Sequence, residues 1–277
     1  MKLIKMFMAV VLLGAGFWFS STFRTIDKVQ VTTLDVGQGD AILIKAPNNF
    51  EVLIDSGPDN KVVEKVGEYL PFFDREIELA ILTHPDADHV NGFAQLGSRY
   101  RLKNVVITGV AHSLPSYIEF LKVIKEQGSQ VFYNNPGQKF EIPGGVLTIL
   151  APEGNYLDKE VDDQNATSIV ARLDVGSNSF LFTGDADIGE EKWLINSGQN
   201  IQVNVLKVGH HGSKSSTSPE FVKAVNPDIG LISAGQDNKF GHPHQELLGR
   251  LDKALILSTA IDGDICIEVD EEGLGRC

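Results

Sequence analysis

Cysteine, methionine and basic charge are all scarce in this chain. Of its 277 residues only Cys266 and Cys277 are cysteines, both at the C-terminal end. That is too few for a disulfide-built scaffold, and the absence of a Cys-x-x-Cys pair removes the usual redox and zinc-thiolate motifs. The three methionines, Met1, Met6 and Met8, fall in the first eight positions. Lys and Arg number 24 against 37 Asp and Glu, a net charge of -13. Three of the bases (Lys2, Lys5, Arg24) precede the first acid, Asp27, so the rest of the chain carries -16. Such a body does not bind nucleic acid through a broad basic surface, because neutralising phosphates takes clustered Lys and Arg. A polyanionic substrate would need local positive charge, and a bound metal is one source. No fixed-period repeat, linker or low-complexity run follows residue 25. With 42% hydrophobic and 22% charged residues, disorder and coiled coil are excluded as the main state.

Residues 1–25 read as a signal peptide or membrane anchor. Lys2 and Lys5 open the chain, and Met6 to Phe19 is uncharged and mostly apolar. The run is shorter than the ~20 residues of a full span. Phe17, Trp18 and Phe19 stand where a cleavage site wants small residues. A cleaved signal and a short uncleaved anchor, held in the inner membrane through residues 6–20, both remain open. The positive-inside rule keeps Lys2 and Lys5 in the cytoplasm and puts residues 26–277 outside, so the expected location is extracytoplasmic, secreted or anchored to the cytoplasmic membrane.

From Val29 onward strands and helices alternate. Val29–Leu34, Ala41–Ala46 and Glu51–Ile54 have strand composition, with turn signals at Gly37-Gln38-Gly39 and Pro47-Asn48-Asn49. Lys61–Leu70 has helical spacing through Val62, Val63, Val66, Tyr69 and Leu70. Strands are expected at Leu79–Thr83, Asn104–Thr108, Gln130–Tyr133, Val146–Leu150, Ser168–Leu173, Ser179–Thr183, Val203–Val208, Ile229–Ser233, Leu255–Ser258 and Ile265–Val269. Helices are expected at Pro115–Gln127, Ile188–Asn196, Pro219–Val225 and Gln245–Leu251, with Asp187 as an N-cap. A β-meander followed by mixed elements argues for one α+β domain with helices covering sheet faces. If Asp270 pairs with Gly273 across a turn, the same register sets Cys266 opposite Cys277, near enough for a disulfide in an oxidising compartment.

Six of the seven histidines fall in three tight clusters, each after an apolar stretch or before a helix. His84-Pro85-Asp86-Ala87-Asp88-His89 directly follows the strand ending at Thr83. Four metal-competent side chains in six residues are hard to explain structurally, and such a loop can converge on one or two ions. The strand ending at Thr183 runs into Gly184-Asp185, where one carboxylate can bridge two cations. The strand ending at Val208 runs into Gly209-His210-His211-Gly212-Ser213-Lys214-Ser215-Ser216. This reads as a metal ligand plus a small oxyanion-binding loop, with Ser213 and Lys214 as substrate contacts and Lys207 adding local positive charge. His242 and His244 precede the last helix and suit general acid catalysis or phosphate contact; a helix-entry turn is the plainer alternative. His112, alone, reads as structural.

These elements, in this order, resemble the metallo-β-lactamase superfamily. Leu34-Asp35-Val36-Gly37-Gln38-Gly39-Asp40-Ala41, Thr83 to His89 and Val208 to Ser213 narrow the resemblance to the extracytoplasmic hydrolase domain of ComEC-type DNA-uptake competence proteins. It spans roughly residues 28–269. The resemblance implies an αββα sandwich with two divalent metals, Zn or Mn, at one sheet edge. His84 and Asp86 would hold one ion, Asp88 and His89 the other, and Asp185 would bridge. One of His210 and His211 would ligate; adjacency does not say which. Asp55 would orient a ligand from behind. Asp86 stands where the broad pattern has a second histidine. No histidine lies between His112 and His210, so Asn165 is the expected stand-in for the missing third-motif histidine. Oxygen ligands suit harder ions, which favours Mn²⁺ as readily as Zn²⁺ at the first position.

The resemblance implies a metal-dependent hydrolase, with phosphodiester hydrolysis of DNA the first expectation. A smaller extracytoplasmic phosphodiester or ester is the rival substrate, and a metal-holding accessory protein without turnover is the rival class. The protein partners are not legible.

Overall fold

The computed structural model describes residues 27–270 and 273–277. The expected signal or anchor at 1–25, and Glu271 and Glu272 of the expected turn, lie outside the described residues. Strands β1 (Val29–Thr33), β2 (Ile42–Ala46) and β3 (Phe50–Ile54) form an antiparallel meander. Strands β4 (Glu76–Ile81), β5 (Arg101–Ile107) and β6 (Gln130–Tyr133) then add in parallel. The crossovers carry α1 (Lys61–Tyr69), α2 (Ala87–Gly97) and α3 (Pro115–Gln127). In the second sheet β7 (Lys139–Ile142), β8 (Gly145–Ala151), β9 (Val170–Val175) and β10 (Asn178–Phe182) are antiparallel. Strands β11 (Val205–Lys207), β12 (Ile229–Ile232) and β13 (Leu255–Ser258) follow in parallel, linked by α4 (Ile188–Asn196), α5 (Pro219–Val225) and α6 (Gln245–Arg250). After the short α7 (Thr259–Asp262), β14 (Ile265–Asp270) and β15 (Gly273–Arg276) return to the first sheet, giving the orders β15-β14-β1-β2-β3-β4-β5-β6 and β13-β12-β11-β10-β9-β8-β7.

Period-two alternation explains the layering. Val31, Ile44, Val52, Leu79 and Ile81 meet Leu147, Ile149, Phe180, Phe182 and Val205 between the sheets. The alternate positions Leu43, Leu53 and Ala80 pack under Val66, Val90, Phe93 and Phe120 of the helices. On the far side Leu181, Leu206 and Ile232 pack under Leu194, Phe221 and Leu247. The result is the expected αββα sandwich. Strands buried on both faces read as continuous apolar runs, which is why the central strands were legible.

The helix boundaries follow local chemistry. The Asp187 carboxylate accepts from Glu190 N at 2.9 Å, as expected of a cap. Pro115 and Pro219 occupy first-turn positions, and Gly128 and Asn226 end their helices in the left-handed region. Helix α2 was not anticipated: the His84–His89 motif reads as a loop, yet Val90, Phe93 and Leu96 are buried at helical spacing behind it. Strand β7, short and half polar, was also missed.

Asp270 pairs with Gly273, and Cys266 and Cys277 are joined as a disulfide with a Cα–Cα distance of 5.5 Å. Thiol titration of the native protein is expected to find no free thiol without reductant and two after denaturation and reduction; two reactive thiols in the untreated protein would rule the bridge out.

Candidate metal centre

Every group of interest sits at one end of the sandwich. Asp55 follows β3, His84 follows β4, Asp185 follows β10, His210 and His211 follow β11, and Ser233 follows β12. The loop between β1 and β2 supplies Asp40, and the 3₁₀ turn 165–167 leads into Ser168. Asp86 caps α2, placing Asp88 and His89 in its first turn, where the helix dipole favours carboxylates. Close backbone contact fixes this loop. A Cβ on Gly39 would lie 2.3 Å from the Asp88 carbonyl oxygen, so only glycine lets the Asp40 loop approach α2. Asp55, His210 and His211 all adopt left-handed backbone, with φ of 59°, 47° and 53°. Non-glycine residues are held there at a cost of order 1–3 kcal/mol each, and such strain clusters at functional sites.

The three inner histidines are oriented from outside. His89 Nδ1 donates to Asp55 Oδ2 at 2.8 Å. Asp55 also accepts from the Thr83 backbone N–H at 2.8 Å and the Thr83 hydroxyl at 2.7 Å. That hydroxyl, its proton spent on Asp55, accepts from His84 Nδ1 at 3.0 Å. His211 Nδ1 donates to the Ser233 carbonyl at 3.0 Å and lies 3.2 Å from Asp40 Oδ1. Each Nε2 is therefore left facing inward. His84 Nε2, His89 Nε2, His211 Nε2 and Asp185 Oδ1 are all buried with no hydrogen-bond partner among the described residues.

These orphaned atoms converge. Asp185 Oδ1 is 3.4 Å from His89 Nε2, and Asp185 Oδ2 is 3.4 Å from His211 Nε2 and 3.6 Å from His210 Nε2. Asp88 Oδ2 is 3.3 Å from His211 Nε2, and Asp86 Oδ2 is 3.6 Å from His84 Nε2. Asp40, His89, Asp185 and His211 have ligand atoms within 4.8 Å of one another, but Asp40 faces the Nδ1 side of both rings and stands behind them. Imidazole and carboxylate donors in this arrangement fit one or two divalent ions, and the unpartnered buried atoms are what such ions would satisfy. The two adjacent histidines separate: the His211 side chain is 1% exposed among the donors, and that of His210 is 29% exposed at the rim.

The electrostatics point the same way. Burial disfavours charge on His211, yet Asp185 and Asp40 outweigh it and lift the imidazole to about 9. Burial likewise opposes charge on His89, but Asp185 and Asp55 raise it well above the ordinary range. For Asp185 burial favours the neutral acid, and His211 and His89 overcome it to hold the carboxylate well below its usual value. The same carboxylates that favour a proton on these rings would favour a cation there, and metal binding would release such protons. At the rim, burial followed by the neighbouring His244 and His211 lowers His242 to about 4.

Other expected residues stand further out. Asn165 heads the 3₁₀ turn, its amide oxygen buried without a hydrogen-bond partner among the described residues. From this segment it is Ser168 that reaches His84, its hydroxyl 3.5 Å from His84 Nδ1 and accepting from the Asp185 amide at 3.1 Å. His244 accepts from the Lys214 amide at 3.1 Å. Ser213 bonds Ser215 at 2.9 Å, and the Lys214 side chain is exposed. Glu191 accepts from the Thr217 and Ser218 amides, and Arg250 donates to the Ser216 carbonyl at 2.8 Å, so this loop is held from two sides. His112 accepts from the Leu114 amide at 3.3 Å, a structural bond. Lys207, read from sequence as a source of local positive charge, is buried; its ammonium sits on Asp40 and donates to the Gly184 carbonyl at 3.2 Å. Asp40 and Ser168 carry no local signal of their own, although both lie in or beside motif stretches.

Ser168→Ala removes the hydroxyl between His84 and the Asp185 loop. Metal affinity, measured by competition with a chelator, is expected to fall about 10–100-fold with folding intact. An unchanged affinity would mean that Ser168 only packs.

The family model for the metallo-beta-lactamase superfamily matches residues 34–236. ComE operon protein 3 of Bacillus subtilis is 32% identical over 241 residues, covering 81% of this chain and 30% of that protein. Recombination protein 2 of Haemophilus influenzae is 33% identical over 253 residues, covering 88% of this chain and 29% of that protein. The chain thus spans under a third of the length of these two curated relatives. Among solved structures, the metallo-beta-lactamase fold protein YhfI from Bacillus subtilis superposes with a TM-score of 0.58 at 14% identity, over 87% of this chain and 99% of that one. That likeness concerns the fold. The family match runs through each strand end that feeds the centre except the His242–His244 rim, and on it the chain belongs to the metallo-β-lactamase superfamily, with ComEC-like competence proteins among its homologues.

Proposed function

We propose that this chain is a metal-dependent phosphodiesterase acting on DNA outside the cytoplasmic membrane. The observation that carries the reading is the convergence of the unpartnered His89 and His211 imidazoles on Asp185, with the unpartnered His84 ring packed against His89. Asp55 is committed to His89 and Asp40 to Lys207, which leaves Asp86, Asp88 and Asp185 as the carboxylates facing the centre. Two divalent ions against three carboxylates leave a net positive centre in an acidic body, which suits a phosphodiester. Ions bound there would lower the pKa of water and polarise a phosphoryl oxygen. The serine loop and Lys214 would hold the phosphate. His242, kept neutral, is poorly placed to donate a proton, so His244 takes the role of general acid to the leaving oxygen. Relatives named for competence and recombination support a DNA substrate. The Cys266–Cys277 bridge and the basic start at Lys2 and Lys5 support an extracytoplasmic, secreted or anchored location.

The -16 of the body favours a second reading, in which a smaller phosphodiester or ester is the substrate. One assay separates the two: protein stripped by chelation, reloaded with Mn²⁺ or Zn²⁺, and offered single-stranded DNA, double-stranded DNA and a chromogenic phosphodiester. Metal-restored DNA cleavage is expected. Cleavage of the small ester with both DNAs intact would transfer the reading to the small substrate, and no cleavage at all would leave a metal-holding accessory protein.

A further inference from the structure

Far from the metal centre, Phe72 and Phe73 stand on the turn between α1 and β4, 73% and 69% exposed, with their rings edge to face at 5.2 Å. Isolated exposed apolar residues are ordinary, but two adjacent phenylalanines this bare call for a partner. Their surroundings depart from the rest of the acidic body. The Arg75 guanidinium lies 5.1 Å from the Phe72 ring and 5.7 Å from that of Tyr100, and Arg99 lies 6.0 Å from Tyr100. Arg101 donates its backbone N–H to the Arg75 carbonyl at 2.7 Å and, with Lys103, flanks Glu76. Four bases thus gather at this end of the sheet, with Arg75 on Phe72 itself and Arg101 and Lys103 paired to Glu76, while Asp74, Glu51 and Glu78 are the neighbouring acids.

Strand register says where this patch faces. Val31, Ile44, Val52, Leu79 and Asn104 lie in one row across the sheet. Strands β1, β4 and β5 run the same way, so Val29, Ile77 and Leu102 are level, and the Phe72–Arg75 turn lies beyond their starting ends. The metal ligands lie beyond the opposite ends. Residue 27, where the described chain begins, leaves the first sheet on the Phe72–Phe73 side, three strands away, about 14 Å at the usual spacing. In sequence, the apolar run of residues 6–20 precedes residue 27 at this end.

We infer that Phe72 and Phe73, with Arg75, Arg99 and Arg101 around them, form a contact surface for an anionic lipid bilayer, holding the domain with its metal end turned away from the membrane. The inference rests on the reading of residues 1–25 as a membrane anchor. Apolar side chains ringed by arginines suit the boundary between acyl chains and anionic headgroups. Net charge would otherwise push an acidic domain away from such a surface, so a local basic patch is needed on whichever face approaches.

The test uses the full chain reconstituted in vesicles of phosphatidylglycerol and phosphatidylcholine. An environment-sensitive fluorophore is attached at Phe73→Cys or, at the metal end, at Ile261→Cys, where the native residue is 86% exposed. The native cysteines are bridged and leave the new thiol as the target. The Phe73 label should shift to the blue and be quenched by spin-labelled lipid, and the Ile261 label should stay aqueous. Arg99→Glu should reduce the shift. Equal aqueous signals from a chain that floats with the vesicles would overturn the inference and leave the anchor reading standing. A chain that does not float with vesicles would overturn both. A blue shift that needs no vesicles would assign the patch to a protein contact instead.

Discussion

Asp185→Asn should strip the centre of metal. The side chain is buried, and its two oxygens approach three imidazoles from His89, His210 and His211. Asparagine keeps the shape but removes the negative charge and one acceptor, so a cation held at this carboxylate would lose its anionic ligand. Metal Lewis-acid stabilisation is worth several kcal/mol, and its loss would slow turnover by about 10³-fold or more. Elemental analysis after gel filtration should find the ion content reduced, with the circular dichroism spectrum unchanged. Full metal content in the variant would remove Asp185 from the ligand set.

The second large effect is expected at Lys207→Met. Burial alone would push the Asp40 carboxyl up, but Lys207 first and His211 next hold it below its usual value. Methionine fills the same space and leaves Asp40 a buried charge without its main partner. Breaking a buried pair in this way costs about 3–5 kcal/mol, which in a domain of this size lowers Tm by on the order of 10 °C. Asp40→Asn combined with Lys207→Met should recover part of the stability, since the orphaned charge is gone. A double-mutant cycle showing purely additive losses would mean that the two residues do not act as a pair.

The candidate ligand motifs were legible because each one follows a run of buried apolar residues. The abrupt change at Thr83, Thr183 and Val208 marks where a strand leaves the sandwich. The hairpin register that pairs Cys266 with Cys277 was legible because a period of two leaves no freedom once the turn is placed. What sequence reasoning missed is contact between distant segments. Asp40 and Lys207 are 167 positions apart, and nothing near either residue announces the other. Ser168 looked like the start of a strand; the strand begins at Val170, and the two freed residues let its hydroxyl turn toward His84. Helix α2 was hidden because its first turn is made of the ligands themselves.

The bridge between Cys266 and Cys277 acts on a part of the fold that carries little packing of its own. Strand β15 is four residues long with two glycines, and it is the outermost strand of its sheet. By itself it would fray and bare the hydrogen-bonding edge of β14, a template onto which another chain can pair. Tied down, it works as a lid on that edge. A reduced copy would keep its core and its candidate ligand set yet become self-associating, so loss of the bridge would show first as aggregation, before any loss of fold.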